Sequence, residues 1–96
     1  MLLINVTYTM KPGMRDTFLN EVQARGIQDA VREEEGCFQY DYYLPAEEDN
    51  TLLLVERWRD RAAQQLHLTT PHMAALAPIK AACVASTQLI SGTAEE

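Results

Sequence analysis

Residues 37–59 read CFQYDYYLPAEEDNTLLLVERWR. Two runs rich in aromatic and branched aliphatic residues, 37–44 and 51–59, flank a polar acidic stretch at 45–50. The segment therefore reads as a β-hairpin closed by a loop of about six residues. With side chains alternating along each strand, Phe38, Tyr40, Tyr42 and Leu44 fall on one side of the first. In the second, Leu52, Leu54, Glu56 and Trp58 share one face, and Leu53, Val55 and Arg57 share the other. Both faces are apolar near the start of this strand, as in a strand covered on both sides.

Working outward, residues 2–10, LLINVTYTM, form another strand that stops at the turn Lys11-Pro12-Gly13. Leu2, Ile4, Val6, Tyr8 and Met10 lie on one face; Leu3, Asn5, Thr7 and Thr9 lie on the other. Residues 14–34 carry Met14, Phe18, Leu19, Val22, Ile27, Ala30 and Val31 at helical spacing. Gly26 interrupts that helix at a cost of about 1 kcal/mol against Ala, which close approach to the sheet would explain. Gly36 suits the helix's end, although the preceding Glu33, Glu34 and Glu35 oppose the negative end of its dipole. Downstream, Asp60 is a good N-cap for a short helix over 61–68, and Thr70-Pro71 opens another that reaches about residue 82, with a break expected at Pro78. Residues 83–91 form a last strand ended by Gly92.

The order β-α-β-β-α-β predicts an α+β, ferredoxin-like domain over 1–92, with a four-stranded antiparallel sheet and a short acidic tail at 93–96. Helices cover one face of such a sheet. The other face is expected to carry Leu, Tyr and Trp and to be covered by a second copy of the chain. Composition points the same way, because 47% of the 96 residues are hydrophobic while a domain this short buries only about 60–65% of its unfolded surface.

Fourteen acidic and eight basic residues give a net charge of −6. Only Arg57, Arg59 and Arg61 cluster, so neither nucleic acid nor an anionic membrane is an expected partner. No apolar run approaches the roughly 20 residues of a membrane span, and the first residues lack the pattern of a signal peptide. The expected compartment is the cytoplasm, with Cys37 and Cys83 as free, buried and inert thiols.

No glycine-rich phosphate loop links a strand to a helix. On one helix His67 and His72 would point about 140° apart, and no acid or Cys completes a ligand set by spacing, so no metal is expected. Glu56 stands among apolar neighbours and needs a partner or a raised pKa. His67 is the candidate partner, and the pair could form either a proton acceptor near neutral pH or a structural ion pair. Asn5 could bond a substrate oxygen or neighbouring backbone. Tyr8, Tyr40, Tyr42, Tyr43 and Trp58 could wall an aromatic substrate or fill the core.

Four segments in order, Lys11-Pro12-Gly13, Glu35-Gly36-Cys37 with Tyr40, Glu56-Arg57-Trp58, and the run from His67 to His72, resemble the antibiotic biosynthesis monooxygenase family. The likeness covers residues 2 to about 91 and is nearest to small bacterial quinol monooxygenases. The stretch from His67 to His72 also resembles an isomerase of phosphorylated autoinducer-2. The resemblance implies a homodimeric α/β barrel with a pocket between each sheet and its helices. It implies oxidation of a small quinol or polyphenol by O2, without metal, flavin or other cofactor. His67 would be the base and Glu56 would orient it; Asn5, Tyr40, Trp58 and His72 would contact substrate. Asn5 resembles a polar strand-one residue of the haem-degrading branch, although the Pro-Gly turn sits one position off; that branch carries Trp where His67 stands, and this departure argues against haem. The competing readings are an isomerase or lyase acting on a sugar-like metabolite and a dimeric binding protein without turnover.

Overall fold

The alternation in residues 2–10 produces β1, Leu2–Met10, whose five even-numbered side chains are all buried in the computed structural model, which describes residues 1–95. After the Lys11-Pro12-Gly13 turn come two helices, α1, Arg15–Ala24, and α2, Ile27–Arg32, where the sequence predicts one. Gly26 separates them with a φ of +64°, and a Cβ placed there meets nothing within 4 Å. The break is thus a left-handed backbone turn that glycine makes without penalty. Close approach to the sheet, the reason expected from sequence, is not the cause.

The hairpin forms from β2, Cys37–Tyr43, and β3, Thr51–Trp58. Cys37 pairs with Trp58 and Gln39 with Arg57, so Phe38 is the extra residue of a β-bulge. The bulge removes Phe38 from the row expected with Tyr40 and Tyr42 and leaves it 51% exposed. Leu44 lies beyond the strand and is also exposed. Gly36, just before β2, has a φ of +84°, and a Cβ on it would lie 2.7 Å from the Ala63 Cβ. Both the turn and the helix packed on it need glycine here.

That helix is α3, Arg61–His67, with the Asp60 side chain accepting from the Ala63 N–H at 2.9 Å as the sequence predicts. Helix α4, Pro71–Cys83, runs unbroken through Pro78. Pro78 and Ala74, whose carbonyl the proline leaves without an N–H donor, are both exposed, so water can serve that oxygen. Cys83 ends α4 instead of opening the last strand. Strand β4, Val84–Thr93, continues past Gly92, and the Ala94 N–H reaches the Met1 carbonyl at 2.9 Å. Glu96, the end of the expected tail, lies outside the described residues.

The strand order is β2-β3-β1-β4, antiparallel throughout. With helices inserted between β1 and β2 and between β3 and β4, this is the ferredoxin-like α+β arrangement. The helices cover the face carrying Ile4, Tyr8, Tyr40, Leu54 and Trp58. Trp58, Tyr8 and Tyr40, assigned from sequence to the open face, are therefore under the helices, whereas Tyr43, opposite Leu53, stays on the open face at 48% exposure. By register the open face carries Leu3, Leu53, Val55 and Ile90 interleaved with Asn5, Thr7, Asp41 and Arg57. Helical cover stops short of β4, where every residue after Val84 is exposed, including Leu89 at 58% and Ile90 at 62%. No helix among the described residues is long and apolar enough to cross a membrane.

Candidate active site

Between the covered face of the sheet and helices α3 and α4 lies a cavity of about 110 Å³. Its apolar wall is built from Ile4 and Val6 on β1, Leu54 on β3 and Met73 on α4. Its polar groups are Tyr8, Tyr40, Glu56, Gln64, His67, Lys80 and Thr87. Exposed Leu68 and Leu89 line the mouth. A larger depression of about 370 Å³ runs along the β2 edge, but there Arg32 and Asp41 pair with each other.

His67, in the last turn of α3, is only 2% exposed and packs against the Trp58 ring at 4.6 Å between centroids and the Tyr40 ring at 5.8 Å. Its Nδ1 is 2.7 Å from Oε2 of Glu34, and the same oxygen is 2.8 Å from Nε2 of His72. A carboxylate only accepts, so each facing ring nitrogen carries a hydrogen. His67 is thereby held as the Nδ1–H tautomer. Its Nε2 has no hydrogen-bond partner among the described residues and, in the neutral ring, carries the lone pair. The Thr70 hydroxyl donates to the His67 carbonyl at 2.8 Å and fixes the helix end that carries the ring.

This corrects the expected Glu56–His67 pair. Glu56 accepts from the Trp58 Nε1–H at 2.9 Å, and Glu34 supplies the carboxylate that His67 bonds. Burial raises the Glu56 carboxyl above its ordinary range, while the Trp58 hydrogen bond and the charges of His67 and Lys80 pull the other way. Burial likewise raises the Tyr8 and Tyr40 hydroxyls, which stay protonated as hydrogen-bond donors. Lys80 is shifted down, chiefly by burial, with Glu56 opposing.

Of the residues singled out from sequence, Tyr8, Tyr40, Glu56 and His67 line the cavity. Trp58 and His72 stand behind its wall, one stacked on His67 and the other bonded to Glu34. Asn5 does not belong to the site, because it is exposed on the opposite face of the sheet, between Val55 and Ile90. Glu34 and Lys80 carry no spacing signal. Glu34 did leave one mark, an acid where a helix end disfavours acids, and its side chain turns in to take two imidazole donors. Glu34, His67 and His72 are also the described residues that could hold a cation, each offering one ligand atom within 4.8 Å of the others. Sequence spacing hid that set because its acid comes from the turn after α2. Cys37 and Cys83 are free, and burial pushes the Cys37 thiol up to about 11, where it is a poor nucleophile at neutral pH.

The family description "Antibiotic biosynthesis monooxygenase" matches residues 1–78, the stretch that supplies Glu34, Glu56, His67 and His72. The chain belongs to the antibiotic biosynthesis monooxygenase family. It is 36% identical over 72 residues to "Putative monooxygenase YcnE" of Bacillus subtilis, covering 75% of this chain and 74% of that one. A solved antibiotic biosynthesis monooxygenase superimposes with a TM-score of 0.84 at 27% identity, covering all of both chains. PA3566 of Pseudomonas aeruginosa gives 0.87 at 25% identity, covering 99% of this chain and 94% of that one. In this member of the antibiotic biosynthesis monooxygenase family, the helix-covered face of the sheet is thus both core and cavity wall.

Proposed function

We propose that the chain is a cofactor-independent monooxygenase that oxidises a small quinol or polyphenol with O2. The observation that carries this reading is His67, held by Glu34 through Nδ1 so that Nε2 is the base left for a molecule in the cavity. Nε2 accepts the proton of a phenolic hydroxyl. The resulting electron-rich anion is the reductant and O2 the oxidant. One oxygen atom enters the ring and the other leaves as water, so a hydroquinone gives a hydroxyquinone with atoms and electrons balanced. The apolar walls keep bulk water from competing for the anion. A phosphorylated sugar is a poor fit, since Lys80 is the sole Lys or Arg among the lining residues and Glu56 shares its wall.

We further propose that a second copy covers the open face, with Leu3, Leu53 and Val55 as its apolar centre and the exposed β4 at its margin. The cytoplasm is the proposed compartment, because two unpaired thiols persist there. The test of the reaction is mass analysis of the product formed under isotopically heavy O2. One heavy oxygen atom in the product supports the reading. A product without label, or no product from any of a panel of hydroquinones, rules it out.

A further inference from the structure

Lys80 is the one Lys or Arg among the described residues that lines the cavity. Its Nζ sits 5.5 Å from the centroid of the Tyr8 ring, and it makes no hydrogen bond or ion pair among the described residues. The contact with Tyr8 engages the ammonium's charge but leaves its donors open. Glu56, the carboxyl on the same wall, accepts from the Trp58 indole through Oε1 and acts on Lys80 through its charge without a hydrogen bond or ion-pair contact.

We propose that the cavity binds its substrate as a mono-anion, with the ionised phenolic oxygen held by the Lys80 ammonium. This deepens the quinol reading and rests on it. The polar groups that share the cavity with Lys80 are Tyr8 from β1, Tyr40 from β2, Glu56 from β3, Gln64 and His67 from α3, and Thr87 from β4. A phenolic oxygen set among them loses its proton to His67 Nε2 and gains the ammonium as counter-charge. The O–H bond breaks, an N–H bond forms on the imidazole, and no electrons are transferred. Charge-assisted hydrogen bonds of this kind are about twice as strong as neutral ones. A doubly charged phosphate, in contrast, would meet one ammonium and the Glu56 carboxyl together. The volume, about 110 Å³, is below the roughly 150 Å³ of a cavity known to take benzene. A single ring reaching in through the mouth fits these limits, and a fused polycycle does not.

The experiment is a spectroscopic titration of 4-nitrophenol, whose colour reports its ionisation, carried out without O2 on the wild type, Lys80→Met and Lys80→Arg. The wild type is expected to bind the phenolate about tenfold more tightly than the phenol, which lowers the apparent pKa of the bound ligand by about one unit. Lys80→Met, which replaces a half-buried ammonium with an apolar chain of similar length, should abolish the shift, and Lys80→Arg should keep part of it. Hydroquinone should displace the probe and phenyl phosphate should not. The proposal is overturned by an unshifted wild type, by an equal shift in Lys80→Met, by displacement with phenyl phosphate, or by the absence of saturable binding. Because no oxygen is present, a protein that never consumes O2 still shows the shift if Lys80 holds the anion.

Discussion

Oε2 of Glu34 lies 2.7 Å from Nδ1 of His67, joining residues 33 apart in sequence. The carboxylate comes from the turn after α2, and the imidazole from the end of α3. Their contact ties the turn after α2 to the end of α3 beside the cavity, and it also decides which nitrogen of His67 faces away from the carboxylate. Because His72 bonds the same oxygen, Glu34 is fixed from two helices, and its position is set by the packing of the domain.

If Glu34 positions His67, its loss should act on turnover more than on binding. Glu34→Gln offers His67 a neutral, weaker acceptor and is expected to lower kcat by between about 10²- and 10⁴-fold, with KM little changed. Glu34→Asp should recover part of the loss. His72→Ala removes the second brace and should cost less. Steady-state kinetics with separate kcat and KM values check this; a rise in KM with unchanged kcat would assign Glu34 to binding instead.

Glu56 gives a signed expectation for stability against pH. Its carboxyl is raised above 4.5 in the folded chain, first by burial. A raised acid favours the protonated folded state, so folding is best supported below the unfolded value and loses support as pH rises through the interval up to the folded value. Glu56→Gln is isosteric and keeps an acceptor for Trp58. It should be more stable than wild type at pH 7 and no more stable at pH 4. Urea denaturation at the two pH values measures the difference.

Two glycines separate backbone strain from crowding. Gly26 and Gly36 both have positive φ, but only Gly36 has a neighbour where a Cβ would go, Ala63 at 2.7 Å. Gly26→Ala is expected to cost about 1–2 kcal/mol from the left-handed conformation alone. Gly36→Ala adds an overpacking cost of about 1–3 kcal/mol. Denaturation midpoints should therefore rank wild type, then Gly26→Ala, then Gly36→Ala.

The open sheet face makes an assembly prediction. Val55 sits on that face on a central strand, half-buried, and a charge there faces the proposed second copy while sparing the core. Val55→Asp should convert a dimer to a monomer in sedimentation analysis while leaving the circular dichroism spectrum unchanged. A wild type that sediments as a monomer at micromolar concentration contradicts the assembly.

The succession of strands along the chain was legible because alternation over 2–10 and 37–59 survives packing. What the sequence could not reveal came from three-dimensional choices. The bulge at Phe38 shifts one strand by a residue, and every face assignment before it changes side. Asn5 and Glu56 each stood out as polar residues in apolar strands, but only the helices determine which face becomes a cavity. The partner of His67 was misassigned to the nearer carboxylate in sequence, because helix spacing carries no information about a turn 33 residues away. The residues themselves singled out His67, the resemblance added His72 to the site, and the fold supplied the acid between them.

The most direct measurement is oxygen uptake with a panel of hydroquinones, comparing wild type with His67→Ala at equal folded concentration. Uptake by the wild type, and a fall of at least about 100-fold in the variant, is the expected result. Equal uptake by the two proteins would contradict the assignment of His67 as the base.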